Sequence, residues 1–279
     1  MMSEIELEGL SEESFAAVTD HRRKPFVFRF HLTDPEQYHP KCLAALDPTV
    51  QVRVRAYAHD RKTIPRDQWT TYCTYLSMDM ETYVSKVADG SATQEGLYLA
   101  LFDVSGLAQA RPFQAHLDHL SRATGLQRSS GGDINLWLSP PSHFEGLHYD
   151  GDDGTLLQYH GRKTVTLFAP KYSRDLYPFP LIGSGLPTNF SRLDVAAFDA
   201  SKYPKAVGIE AHAISATLEP GQGIYIPAGW WHQVEASDNP EGVVSINRFW
   251  STRHLPLLWK RPRVALTALL FKGLAALQR

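Results

Sequence analysis

The chain has 279 residues, with 28 Lys+Arg against 30 Asp+Glu, a formal net charge of -2, and a composition 43% hydrophobic and 21% charged. This is the balance of a folded globular protein long enough to bury a full core, which excludes disorder, collagen and coiled-coil rods. Two cysteines, Cys42 and Cys73, exclude a disulfide scaffold and a cysteine-rich metal cluster, and the near-zero charge gives no field to steer nucleic acid.

The first eleven residues are acidic and carry no apolar run, so no signal peptide is expected. No stretch reaches the length of a membrane span, and a reducing, cytoplasmic setting is the expected default. Residues 24–30 (KPFVFRF) and 50–57 (VQVRVRAY) read as strands, the second half-buried by its alternation. Residues 77–88 predict a helix with Ser77 as N-cap and Gly90 just past its end. A strand at 97–102 and a helix at 112–124, closed by Gly125, follow.

From residue 133 the texture changes to short apolar strands separated by Gly, Pro and Asp turns: INLWLS, GLHYD, TLLQYHG, KTVTLFAP, AISATLEPG, GIYIPAG, HQVEA and VVSINRFW. Many short strands with regular turn signals predict a barrel or a two-sheet jelly roll. The long irregular stretch 171–211 interrupts them and reads as a lid or binding loop. The tail, 261–279, predicts an amphipathic helix with Leu266, Leu269, Leu270, Leu274 and Leu277 on one side. A dimer contact, packing on the core and a membrane-surface role are its alternatives, the first two being the commoner fates.

Three features carry chemistry. In His148-Tyr149-Asp150 the imidazole and carboxylate share one face if the segment is a strand, and can meet one ion. A triplet of this kind also arises by chance. A second, His116-Leu117-Asp118, lies in a helical context that sends its two side chains apart, and reads as surface helix. In GQGIYIPAGWWH a Pro-Ala-Gly turn presents His232 at a strand start, where it either completes two histidines and a carboxylate around an ion or caps the turn against Trp230 and Trp231. Such a facial triad leaves coordination positions open and marks non-haem Fe(II) oxygenases; zinc could also occupy it, although catalytic zinc sites more often use different ligand sets. Lys163, in KTVTLF, faces inward with Val165 and Leu167 in one register; the other register turns Arg162, Thr164 and Thr166 inward. An inward lysine demands an anionic partner.

The blocks GLHYDGDDGTLLQYHGRKTVTLFAP, LEPGQGIYIPAGWWHQVEA and VVSINRFW resemble the JmjC-type, cupin-like Fe(II)/2-oxoglutarate oxygenases, particularly the small protein-hydroxylase group that includes the asparaginyl hydroxylase acting on hypoxia-inducible factor. The resemblance extends more loosely over residues 24–250. It implies a mainly β fold, a cupin-like double-stranded β-helix (jelly roll) with flanking helices. An N-terminal α/β lobe (1–95) continues into the catalytic core (96–252), and a helical tail follows (253–279). It also implies that His148, Asp150 and His232 hold Fe(II), that Lys163 and Tyr98 engage the distal carboxylate of 2-oxoglutarate, and that Asn247 lies near this co-substrate. Trp231 is expected to pack beside the site.

The implied reaction consumes O2 and 2-oxoglutarate, releases succinate and CO2, and hydroxylates a C–H bond, most simply on a protein or peptide side chain. Demethylation uses the same step on an N-methyl carbon. The same chemistry on a small metabolite or a modified tRNA base is an alternative; the weak net charge argues against tRNA, and salt-sensitive RNA binding at a basic strip (Arg253, Lys260, Arg261, Arg263) would reverse that. A non-catalytic cupin module with a structural metal is another. Two positions depart from relatives: Glu145 stands where several carry a threonine that contacts 2-oxoglutarate, and Gly154 stands in place of the asparagine of the hypoxia enzyme. Repulsion of the co-substrate predicts that Glu145 turns away from it.

Overall fold

The computed structural model describes residues 4–57, 73–129, 134–180, 188–252 and 262–266. Among the described residues thirteen strands form a nine-stranded and a four-stranded sheet, and α-helices α1 to α5 all lie in the N-terminal half. The N-terminal half contributes β1 (Glu4–Glu6), α1 (Glu12–Val18), β2 (Phe26–Arg29), α2 (Pro40–Leu46), β3 (Gln51–Tyr57), β4 (Cys73–Asp79), α3 (Met80–Ala88), α4 (Ser91–Gln94), β5 (Leu97–Asp103) and α5 (Arg111–Thr124). The remaining eight strands are β6 (Asn135–Ser139), β7 (Phe144–Tyr149), β8 (Asp153–His160), β9 (Lys163–Phe168), β10 (Ile214–Leu218), β11 (Gln222–Ile226), β12 (Trp231–Ala236) and β13 (Val243–Trp250).

These eight pair as one long hairpin wound on itself: β6 with β13, β7 with β12, β8 with β11 and β9 with β10. Alternate pairs fall in opposite sheets, which is the double-stranded β-helix, or jelly roll. β2 and β1 extend the larger sheet beyond β11, and β5, β3 and β4 extend it beyond β6, so strands from the N-terminal half add to both ends of it.

Layering follows from strand alternation. Phe26, Phe28, Tyr159, Tyr225 and Trp250 on one face of the larger sheet bury against the helices. Leu156, Ile224 and Ile226 on its other face meet Val165 and Leu167 of the smaller sheet. The outer face of the smaller sheet carries Leu147, Tyr149, Phe168 and Trp231, covered by Leu176, Leu193 and Tyr203 of the long connection. Because side chains alternate, His148, Leu167 and His232 must point the other way, between the sheets.

Most predicted elements form where the residue pattern placed them, with one boundary to correct. Ser77 lies in β4, which pairs along its whole length with β3, and the N-cap of α3 is Asp79, whose carboxylate accepts from Thr82 N at 2.7 Å. Asp79 and Ser77 are both good caps by type, and cross-strand pairing decided between them. Gly125 closes α5 at φ 65, as a left-handed C-cap that favours glycine. In the tail, residues 262–266 form one helical turn with Val264 and Ala265 buried; Leu269, Leu270, Leu274 and Leu277 lie outside the described residues. Arg263 donates to the carbonyls of Phe179 and Thr188, so it is engaged by the long connection, while Arg253, Lys260 and Arg261 lie outside the described residues. Among the described residues no helix is long and apolar enough to cross a membrane.

Candidate metal centre

β7 and β12 pair so that His148 and His232 are direct cross-strand neighbours, with ring centroids 4.2 Å apart. Asp150 follows β7 in the turn that leads to β8, and its Oδ2 lies 3.6 Å from His232 Nε2. One ligand atom from each of the three lies within 4.8 Å of the others, close enough to share one ion. The ring orientations are fixed from behind. His148 Nδ1 donates to the carbonyl of Gly146 at 2.7 Å, and His232 Nδ1 donates to that of Trp230 at 3.1 Å. A proton committed at Nδ1 leaves the Nε2 lone pair for a metal, the arrangement by which ligand histidines are oriented. Burial, then the neighbouring His148 imidazole, push the His232 pKa down to about 4, which keeps its ring neutral at physiological pH.

The turn that delivers His232 is anchored by buried Asp153. Its carboxylate pairs with Arg22 at 2.6 Å, accepts from Tyr225 Oη and takes the Ala228 N–H at 2.8 Å. Gly229 N donates to the Asp150 carbonyl at 2.8 Å, which ties this turn to the carboxylate-bearing one. The three acidic residues of DGDD thus separate: Asp150 joins the histidines, Asp152 accepts from Ser129, and Asp153 supports the fold.

Lys163 faces inward with Val165 and Leu167. Thr164 and Thr166 face outward and pair with Thr217 and Ser215 on β10, so the alternative register is not adopted. Its ammonium donates to Ser245 Oγ at 2.6 Å. Burial drives its pKa down to about 7, against the opposing pull of the Glu145 carboxylate. A cavity of about 170 Å³ brings Lys163 together with His148, Asp150, His232, Tyr98 and Asn247. Tyr98 is buried and its hydroxyl is pushed well above its ordinary pKa by burial, so it stays protonated. Its ring lies 5.8 Å from that of Trp137, whose Nε1 donates to Asn247 Oδ1 at 3.3 Å. Trp231 lies on the opposite face, edge-on to Tyr149, with its indole N–H given to Ser173.

Glu145 corrects the expectation made for it. It does not turn away: it is buried, lines the same cavity, and pairs with Arg55 Nη1 at 3.2 Å. Arg55 comes from β3, beside Tyr98 of β5, and no local pattern singles it out. Phe190, from the long connection, stacks on His148 with 14° between the rings at 4.9 Å, and Asn189 bonds the backbone of Tyr149. Leu101 reaches the cavity from an irregularity in β5, at a positive φ of 53. The triplet at His116 lies in α5 with its two side chains diverging, as its helical context predicts, and both are partly exposed. His116 packs against Phe30 and Tyr159 and bonds the His31 carbonyl, whereas Asp118 takes the Gln114 amide.

A second cluster, His39, His160 and Glu241, also brings three potential ligand atoms within 4.8 Å. There His39 Nδ1 caps α2 by accepting from Lys41 N at 3.2 Å, so the ring proton sits on Nε2, 3.3 Å from Glu241. That ring nitrogen is a donor and offers no lone pair.

The donors at 148, 150 and 232 are nitrogen and carboxylate oxygen, with no sulfur. They suit a divalent first-row metal with positions left open. The cupin-like domain family matches residues 18–254. Among curated proteins the chain is 33% identical over 132 residues to lysine-specific demethylase JMJ31 of Arabidopsis thaliana, covering 47% of this chain and 23% of the relative. It is 39% identical over 104 residues to JmjC domain-containing protein D of Dictyostelium discoideum (37% and 22%), and 28% identical over 242 residues to the HSPB1-associated protein 1 homolog of Danio rerio (81% and 51%). The chain thus spans from under a quarter to about half the length of these relatives. By a family match over most of its length, the chain belongs to the cupin-like domain family, and two of these three relatives carry JmjC or JMJ in their names.

Proposed function

We propose that this chain is an Fe(II)- and 2-oxoglutarate-dependent dioxygenase that hydroxylates a C–H bond on a protein or peptide side chain. The observation that carries the reading is the orientation of the two imidazoles: both Nδ1 atoms are held by backbone carbonyls, so both Nε2 atoms converge with Asp150 beside a buried ammonium. His148, Asp150 and His232 would hold the iron. Iron, 2-oxoglutarate and O2 together supply oxidation of an unactivated C–H bond, with release of succinate and CO2.

The protein's own residues bind, orient and exclude. Lys163, aimed by Ser245, meets the distal carboxylate of the oxo acid. Burial lowers the Lys163 pKa to about 7 and a nearby anion favours its charged form, so anion binding and protonation of Lys163 reinforce one another. Tyr98 remains a donor within the same cavity, and Asn247 lies on the adjoining strand. Leu156, Ile226, Val234 and Phe249 line the walls and keep water low around the reacting groups.

Asn189 and Phe190 of the long connection, with Arg55, Tyr98 and Leu101 of the N-terminal strands, line the same cavity. Hydroxylation of an N-methyl carbon, in keeping with the name of the Arabidopsis relative, needs no different site. Succinate release from 2-oxoglutarate that requires Fe(II) and disappears in His148→Ala tests the reading, together with a one-oxygen mass gain on candidate peptides. Co-substrate turnover undiminished in that variant would refute it.

A further inference from the structure

Arg55 and Glu145 sit in the wall of the cavity that holds Lys163. Their side chains are 19% and 8% exposed, and they are paired at 3.2 Å across 90 residues of sequence. Arg55 Nη1 also lies 3.4 Å from Tyr57 Oη, so the guanidinium is held from two sides. A buried ion pair is poor value as a stabiliser, because desolvation of both charges offsets their attraction. Its place in a ligand cavity therefore calls for a different account. Glu145 acts on both cations: it pairs with Arg55, and its field raises Lys163 against burial.

Of the charged side chains that line the cavity with Lys163, Glu145 alone would cancel a protonated Lys163 and leave nothing to attract a second carboxylate. Arg55 restores one net positive charge. We infer that Arg55 is a specificity-determining residue for the co-substrate. With Lys163 it selects a 2-oxo acid bearing a distal carboxylate, and Glu145 is the counter-ion that holds Arg55 in the wall and sets how strongly that anion binds. The inference rests on the oxygenase reading and adds to it: the acid at 145, which departs from the threonine of relatives, is tolerated because an arginine from β3 accompanies it.

The test is binding without turnover. Protein loaded with Mn(II) in the absence of O2 is titrated with 2-oxoglutarate and with 2-oxopentanoate, which keeps the oxo-acid head but ends in a methyl group. Quenching of the indole emission, to which cavity-lining Trp137 contributes, or calorimetry reads the affinity. With Lys163 protonated, as in the anion-bound state, net charge of these three groups is +1 in the parent chain, 0 in Arg55→Gln, +2 in Glu145→Gln and +1 again in the double variant, so the titrations are run below pH 7. Arg55→Gln is expected to weaken 2-oxoglutarate by about tenfold or more, the size of one lost charge-assisted interaction. Glu145→Gln should tighten it, the double variant should return toward the parent value, and Arg55→Lys should retain most of the affinity. Binding of 2-oxopentanoate should stay level throughout, which separates loss of charge recognition from loss of fold.

Equal weakening of both acids in Arg55→Gln, no weakening of 2-oxoglutarate, or a double variant no better than Arg55→Gln would each overturn the inference while leaving the oxygenase reading standing. A parent protein that binds neither acid would overturn that reading and the inference together.

Discussion

Two clusters of histidine and carboxylate lie at opposite ends of β8, and by proximity alone they are equivalent. At one end, His148 and His232 give their Nδ1 protons to backbone carbonyls and turn their Nε2 atoms toward Asp150. At the other, the backbone reverses the assignment: Lys41 N–H occupies His39 Nδ1, so Nε2 carries the proton and points at Glu241. Ligand-type residues become a metal site only when the surrounding backbone leaves the right lone pairs exposed. Burial differs as well. The His232 and Asp150 side chains are 7% and 30% exposed, whereas Glu241 is 56% exposed. Water therefore competes for the second cluster and much less for the first.

The strongest challenge to this contrast is replacement of one histidine in each cluster. His148→Ala or His232→Ala should abolish saturable Mn(II) or Fe(II) binding, read by equilibrium dialysis with metal analysis, whereas His160→Ala should leave the metal stoichiometry unchanged. Loss of bound metal in His160→Ala would erase the distinction drawn here.

Buried charge should mark the first region and not the second. The unfolded chain holds the Lys163 proton up to about pH 10.5, while the folded chain releases it from about pH 7. Between these values the unfolded state binds more protons, so folding stability rises with pH by up to roughly 1.4 kcal/mol per unit. Lys163→Met should flatten this slope and stabilise the apoprotein at neutral pH, as chemical denaturation at several pH values would reveal. An unchanged slope would place Lys163 in water.

The smallest effect belongs to His39. Its replacement by alanine removes the N-cap of α2 and should cost about 1 kcal/mol of stability without touching metal affinity. A thermal melt beside the dialysis measurement separates the two.

Much of the jelly roll was legible in the chain because its signals are local. Alternation in KTVTLF put Lys163 in register with Val165 and Leu167, and Gly, Pro and Asp turns separated the strands from β6 to β13 except across the long connection between β9 and β10. The strand character of GLHYD placed His148 and Asp150 for one ion, and the Pro-Ala-Gly turn brought His232 to them. Residues that act from afar left no such signal. Phe190 stacks on His148 from within an irregular connection, and the boundary between β4 and α3 depended on pairing with β3 that no helix pattern contains.

What the sequence determined by itself was the order of strands, which side chains share a face along them, and the residue types able to bind a metal, since period-two alternation and turn chemistry act over a few residues. Tertiary structure alone decided which ring nitrogens face the cavity and that Glu145 points into it. It also brought an arginine from β3 to neutralise that acid. Each of these depends on contacts between segments distant in the chain, where the balance of desolvation and pairing is set only once the sheets have closed.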